Sequence, residues 1–172
     1  MSKNVDQLRF AWIDGEKAED LVETFGVETI PSLVLVHPGK AEFQLITDLT
    51  PELLNDHVKT QADSYAARKA ALNARLLSII SSNKVMLFIK GSMDAPKCKF
   101  TRQLVDIFAK YTDISYGTFD ILADNDVREG LKLYSKWPTY PQIYVNSQLI
   151  GGVDIVKELD EEGELAAALT AQ

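Results

Sequence analysis

Cysteine occurs once in the 172 residues and histidine twice. A lone cysteine, Cys98, cannot close an intrachain disulfide, so its chemistry needs a sulfur, a metal or a thiol from outside the chain. His37 precedes a Pro-Gly turn and His57 lies in a helical stretch. Neither is paired with Cys98 in a way that suggests His-assisted nucleophilic catalysis. Apolar runs of membrane-spanning length are missing, as is a charged-then-apolar leader over Met1 to Asp6, so the expectation is an intracellular protein without a membrane role. The lack of paired cysteines also argues against an oxidising compartment. Basic charge is scarce: the formal net charge is −7, and residues 1–64 carry 5 basic against 12 acidic side chains, leaving 13 of each in residues 65–172. No broad basic stripe exists, which excludes nucleic acid as an expected partner. One local basic cluster, Lys84, Lys90, Lys97, Lys99 and Arg102, brackets Cys98 with only Asp94 among them. It suits a thiolate and a small anionic ligand, or alternatively a plain solvated surface.

The chain reads as two α/β parts. Leu8 to Ile13 is a short apolar strand, and Glu16 to Phe25 is a helix closed by Gly26. Ser32 to Val36 and Glu42 to Thr47 are strands joined by a turn at His37 to Lys40. Thr50-Pro51 then starts a helix that runs to about Lys59. This βαββα order makes a small part, residues 1–62, which buries only a marginal core. Gln61 to Arg75 is alanine-rich and lacks Gly and Pro, so a helical spacer is expected over 63–75, with the boundary near Asp63. The second part, from residue 71 to 172, reads as αβαβαββα. Its elements are a helix from Ala71 to Ser82, a strand at Val85 to Ile89, a helix after Cys98, and a strand at Ser115 to Asp120. There follow a helix at Asp124 to Tyr134, a hairpin of Gln142 to Val145 with Gln148 to Ile150 around Asn146-Ser147, and a last helix opening at Asp154. That order implies a mixed sheet with helices on both faces. The acidic stretch Glu158 to Glu164 is expected to be a solvated end.

Cys98 falls where a strand and a Pro-containing loop give way to a helix, so its sulfur meets unpaired N–H groups and a positive dipole end. Such a thiol ionises readily. A second feature is repeated: Thr29-Ile30-Pro31 and Thr139-Tyr140-Pro141 each lead into an apolar strand after a helix. A proline there can present a free backbone edge to an extended ligand if its peptide bond is cis, which the sequence leaves open for both Pro31 and Pro141.

The stretch Lys90-Gly91-Ser92-Met93-Asp94-Ala95-Pro96-Lys97-Cys98-Lys99-Phe100-Thr101 resembles the monothiol glutaredoxins. So do Trp137-Pro138-Thr139-Tyr140-Pro141-Gln142 and Gly151-Gly152-Val153-Asp154. Residues 8–60 resemble the second half of a thioredoxin domain, so the whole is similar to the multidomain eukaryotic members of that family. The resemblance implies a thioredoxin-like glutaredoxin fold after a partial, non-catalytic thioredoxin-like docking part. It implies glutathione binding, with Lys90 and Arg128 for the glycine carboxylate and the backbone of Tyr140, between Thr139 and Pro141, for the cysteinyl residue. The turn into Val153 and Asp154 would take the γ-glutamyl end. Taken singly, Arg128 also reads as a helix ion pair, Gly151-Gly152 as a turn and Asp154 as an N-cap.

By the same resemblance Cys98 is a ligand of a two-iron, two-sulfur (2Fe-2S) cluster shared by two chains and two glutathione thiolates. The implied role is a cluster carrier in iron–sulfur trafficking and iron homeostasis. Its implied partners are a second copy, a BolA-like protein and apo iron–sulfur clients, in the cytoplasm and also the nucleus. A glutathione-dependent monothiol oxidoreductase with Cys98 as nucleophile is the alternative, with weak activity rather than an efficient enzyme expected. A redox-silent docking protein with a buried Cys98 is the third reading. The family's usual Cys-Gly-Phe-Ser stands here as Cys98-Lys99-Phe100-Thr101. Lys99 is expected to lower the thiol pKa by its charge and to crowd the ligand approach by its bulk.

Overall fold

A computed structural model describes residues 10–36 and 42–171. Two compact units divide between Arg68 and Lys69. In the first, a 3-10 turn at Gly15–Lys17 is capped by Asp14, whose carboxylate accepts the Glu16 N–H at 3.2 Å. Helix α1 (Glu19–Thr24) follows, and Gly26 takes a left-handed φ of 63° just beyond its end, where a side chain would be strained. Strands β1 (Leu33–Val36) and β2 (Phe43–Ile46) pair antiparallel with Leu33 opposite Ile46, and the Phe25 ring meets Phe43 edge-on at 5.0 Å. The strand expected at Leu8 to Ile13 does not form over Phe10 to Ile13, and its first two residues lie outside the described ones. The turn expected at His37 to Lys40 also lies outside them. The Ile30–Pro31 peptide bond is cis.

Helix α2 runs unbroken from Pro51 to Ile80, 30 residues. It replaces what the sequence divides into a helix ending near Lys59, a spacer and a further helix. The physical reason is in the residues: after Pro51 no Gly or Pro occurs before Ile80, and six alanines between Ala62 and Ala74 favour helix continuation. The division between units lies inside this helix, five residues beyond the boundary near Asp63 that composition suggests.

The second unit is built on β3 (Val85–Ile89), every residue of which is buried. It stands inside a sheet of order β4-β3-β5-β6, parallel to β4 (Gly117–Asp120) and antiparallel to β5 (Gln142–Val145). Val85, Leu87 and Ile89 enter one apolar cluster with Leu104, Ile107 and Phe108 of α3 (Lys99–Phe108) and with Val153 and Val156 of α5 (Val153–Glu161). Met86 and Phe88 enter a second, with Leu76 and Ile80 of α2 and Val127 and Leu131 of α4 (Asn125–Ser135). A continuous apolar run is what a strand covered on both faces requires. The hairpin to β6 (Gln148–Gly151) turns at Asn146 and Ser147, with φ of 49° and 66°, the pair of positive values a two-residue hairpin turn needs.

The end of the chain differs from expectation. Gly163, at φ 76°, stops α5, and a further helix α6 (Leu165–Thr170) returns Leu165 and Leu169 to the core. Lys84 Nζ and Asn146 Nδ2 donate to the carbonyls of Thr170 and Ala171, each at 2.8 Å. The acidic run therefore crosses between two packed helices, and the overlooked signal was the leucine pair at i, i+4.

Leu76 is fully buried against α4, where a Cβ on Gly130 would come within 2.8 Å of Leu72 and 3.4 Å of Leu76. Leu76→Ala is expected to cost about 2–5 kcal/mol, read as a lower denaturation midpoint at unchanged slope.

Candidate functional site

The register of the sheet gathers the predicted residues. Phe88 of β3 lies opposite Gln142, the first residue of β5, while Ile89 pairs with Asp120 at the end of β4 and Ile143 with Gly151 at the end of β6. The ends of β3, β4 and β6 and the start of β5 thus share one end of the sheet. Lys90 leaves β3 there, Thr139 to Pro141 enter β5 there, and Gly152 leads from β6 into Val153 and Asp154 of α5. No helix among the described residues is long and apolar enough to cross a membrane.

The loop from β3 to α3 is held at each step. Gly91 adopts φ 85°, and a Cβ there would collide with the Ala95 carbonyl, so glycine is required. Its N–H donates to Asp120 Oδ1 at 2.9 Å, and the same oxygen accepts the Leu122 N–H at 2.9 Å. The Lys97 N–H donates to the Lys90 carbonyl at 2.9 Å, which closes the loop below the thiol.

Cys98 is the N-cap of α3, and its sulfur accepts the Thr101 N–H at 3.3 Å. Thr101 is fully buried; its hydroxyl accepts the Lys90 N–H at 3.3 Å and lies 3.2 Å from the Cys98 sulfur. With a lone pair taken by Lys90, its proton is free to be donated to a thiolate. Burial pushes the thiol pKa up, but the Thr101 hydroxyl, the Thr101 and Phe100 N–H groups and the Lys90 charge together hold it below its ordinary 9.0. Thiolate hydrogen bonding therefore outweighs desolvation. Lys99 does not act as the sequence suggests. Its ammonium stands 4.7 Å above the Phe100 ring, a contact worth about 0.5–1 kcal/mol at an exposed site, and the cation that acts on the sulfur is Lys90.

At the start of β5 the Tyr140–Pro141 peptide bond is cis. The Tyr140 N–H and C=O make no hydrogen bond among the described residues. Its side chain is buried and its hydroxyl donates to the Arg128 carbonyl at 2.7 Å, which ties the loop to α4. The Arg128 Nε itself approaches Glu129 Oε1 at 3.5 Å, the ion pair expected of a helix surface, although it makes no hydrogen bond among the described residues. The N-terminus of α5 has no side-chain cap, and Asp154 is exposed in its first turn rather than being the N-cap, which is Gly152. Gly152 lies against the Pro141 carbonyl and the Trp137 indole, whose Nε1 is also buried and unpartnered.

Gln142, the last residue of the Trp-Pro-Thr-Tyr-Pro-Gln stretch, is a positioning residue. Gln142 is fully buried; its amide donates to the Trp137 and Thr139 carbonyls at 2.9 and 3.2 Å, and its oxygen accepts from Ser135 and Tyr144. It fixes the loop that carries Thr139 and Tyr140. A polar residue inside an otherwise apolar strand was its signal in the sequence.

A mixed sheet flanked by helices, with one thiol capping a helix beside a Thr-Tyr-Pro loop, defines a thioredoxin-like protein of the glutaredoxin class. The glutaredoxin family model matches residues 85–150. Monothiol glutaredoxin-4 of Schizosaccharomyces pombe is 34% identical over 98% of this chain and 81% of its own length. Glutaredoxin 3 of Danio rerio is 38% identical over 96% of this chain and 52% of its own, so the chain spans about half the length of that relative. The solution structure of reduced poplar apo GrxS14 aligns with a TM-score of 0.50 at 38% identity, covering 57% of this chain and 89% of that one. The chain belongs to the monothiol glutaredoxins.

Thr101→Val keeps the shape and removes the hydroxyl. The pH midpoint of Cys98 alkylation by iodoacetamide is expected below 9.0 in the native chain and higher in the variant. Because the folded pKa is the lower one, the thiolate's contribution to stability is complete above 9.0 and is lost as pH falls through the folded value. Stability measured between those two pH values should therefore rise with pH less steeply in Thr101→Val.

Proposed function

We propose that this chain binds glutathione and carries a 2Fe-2S cluster between protein partners, the cluster being cargo held by Cys98 of two copies and two glutathione thiolates. The observation that supports it best is the thiol itself: half-buried, capping the start of α3, and held below its ordinary pKa with no second cysteine to pair with. Among the described residues no group of three His, Cys, Asp or Glu side chains stands close enough to hold a metal ion. One chain thus supplies one sulfur, and soft thiolate ligands must come from elsewhere.

The remaining groups fit an extended ligand with a carboxylate at each end. Lys90, which has no ion pair among the described residues, and Arg128, whose Nε makes no hydrogen bond and only a 3.5 Å ion pair with Glu129, suit one carboxylate. The free Tyr140 N–H and C=O suit the ligand backbone, with Thr139 and Pro141 fixing that edge. The uncapped start of α5, at Val153, suits the second carboxylate, and Asp154 suits the adjoining ammonium group. The Lys99 ammonium is laid over the Phe100 ring, 4.7 Å from its centre. In this role Cys98 and the glutathione thiolates supply the four sulfur ligands. The chain's own task is to keep Cys98 ionised through Thr101 and Lys90 and to hold glutathione beside it. A BolA-like partner in place of the second copy, and apo iron–sulfur proteins as recipients, extend the same proposal.

The lowered thiol pKa also favours a second reading. Cys98 would attack a glutathionylated protein, and a second glutathione would resolve the mixed disulfide. Anaerobic incubation with glutathione, ferrous iron and sulfide separates the two. The carrier reading expects visible absorption, a mass of two chains and loss of colour in Cys98→Ser or when glutathione is omitted. A colourless monomer that reduces a glutathione mixed disulfide with efficient turnover would sink it in favour of the oxidoreductase.

A further inference from the structure

Lys99 opens α3 directly beside the thiol, yet its charge is spent on Phe100, a ring that is itself 40% exposed. Lys97, Lys99 and Arg102 are all exposed. Among the described residues none of them, nor Lys90, has a carboxylate within ion-pair distance. The fold fixes where these cations stand. The Lys97 backbone is bound to Lys90, and its side chain packs on Gly91, where a Cβ would lie 3.0 Å from Lys97 Cγ. Lys99 and Arg102 are three residues apart, neighbours on one helix face. The result is a rim of unpaired cations around an accessible aromatic ring, next to the one thiol of the chain. The carboxylates of a small ligand have Lys90, Arg128 and the start of α5 available to them. The outer rim is left for something larger, and its charge calls for carboxylates spread along a polypeptide.

We propose that Lys99, held over Phe100, is a specificity-determining residue that, with Lys97 and Arg102, directs Cys98 to glutathionylated cysteines, already in a mixed disulfide, that lie in acidic segments of proteins. This rests on the second reading above, in which Cys98 attacks glutathionylated protein. Acidic side chains of the partner meet the rim while its methylene groups cover the Phe100 ring. Electrostatic steering raises the encounter rate before any covalent or ligand step.

The test uses the reduced full-length chain without iron. Two short peptides each carry one cysteine as a mixed disulfide with thionitrobenzoate, flanked by glutamates in one and by lysines in the other. The Cys98 thiolate attacks the peptide sulfur and a Cys98–peptide disulfide forms. The original disulfide breaks, and thionitrobenzoate leaves with its electron pair and is read by its absorbance. The glutamate peptide is expected to react on the order of tenfold faster at low salt, with the gap closing as salt is added. Lys99→Gln should remove most of that gap while leaving the rate with the uncharged 4,4′-dithiodipyridine unchanged, which also shows that the variant is folded. Lys157→Gln, on α5 and ion-paired with Glu161, should leave the gap intact. Equal rates for the two peptides, or a gap that survives Lys99→Gln, overturns the proposal. Cluster assembly plays no part in this assay, so an indifferent rim and a colourless protein are separate results.

Discussion

Burial of β3 on both faces is the constraint from which the site follows. A strand whose five residues are all apolar and all buried cannot turn in place, so its first polar successor, Lys90, must emerge at the sheet end. Parallel pairing with β4 and antiparallel pairing with β5 then determine what else emerges there: Asp120 on one side, Tyr140 and Pro141 on the other. The same two neighbours stabilise the loop they flank, since Asp120 accepts the Gly91 N–H and the next turn of the chain is bonded to Lys90. Core packing and site geometry are one arrangement seen from two directions. A slip of register by one residue would exchange the two apolar clusters and move Lys90 away from Thr101 at once.

Thr101 connects that strand to the chemistry. Its hydroxyl receives the Lys90 N–H and offers its proton to the Cys98 sulfur, so the end of β3 and the start of α3 share one buried oxygen. Thr101 is wholly buried, its γ-methyl included. Electrostatic control of the sulfur is accordingly short-range: hydrogen bonds from Thr101 and Phe100 lie ahead of the Lys90 charge among the lowering causes, while burial opposes them. Position 99 can carry a lysine because the ammonium finds the Phe100 face and stays out of that arrangement.

The second unit was largely legible in the sequence, and the reasons are local. Runs such as Val85 to Ile89 and turns such as Asn146-Ser147 admit few conformations, and three separated motifs in order identify the glutaredoxin part. What misled were the places where absence of a signal had to be interpreted. Gln61 to Arg75 lacks both an apolar stripe and a breaker; the second lack reads correctly as helix, and what stays hidden is that the helices on either side join it without a break, because a helix already under way continues through alanines at little cost. The acidic Glu158 to Glu164 run suggested an exposed end, but Gly163 marked a turn into α6 instead. Side-chain direction was the least legible level. Nothing in the order of residues says that Lys99 prefers the ring beside it to the sulfur before it, or that Gln142 is wholly buried with four partners.

Gln142, Asp120 and Thr101 show how thoroughly this end of the sheet satisfies its polar groups where it can. Each accepts or donates at least twice, although two of the three are fully buried. Buried polar atoms in folded proteins are paired as a rule, because an unpaired one forfeits its hydration without return. Against that background the exceptions are informative. Among the described residues Trp137 Nε1 is buried without a hydrogen bond, Arg128 Nε has only its 3.5 Å ion pair with Glu129, the Tyr140 N–H and C=O are unused, and α5 begins without a side-chain cap. Tyr140 and the start of α5 stand at the sheet end from which β3 leads on to Cys98, and there they offer backbone donors and an open edge. Those open donors and that edge are what the glutathione proposed above would complete, and its thiolate would add the sulfur that a chain with one cysteine lacks.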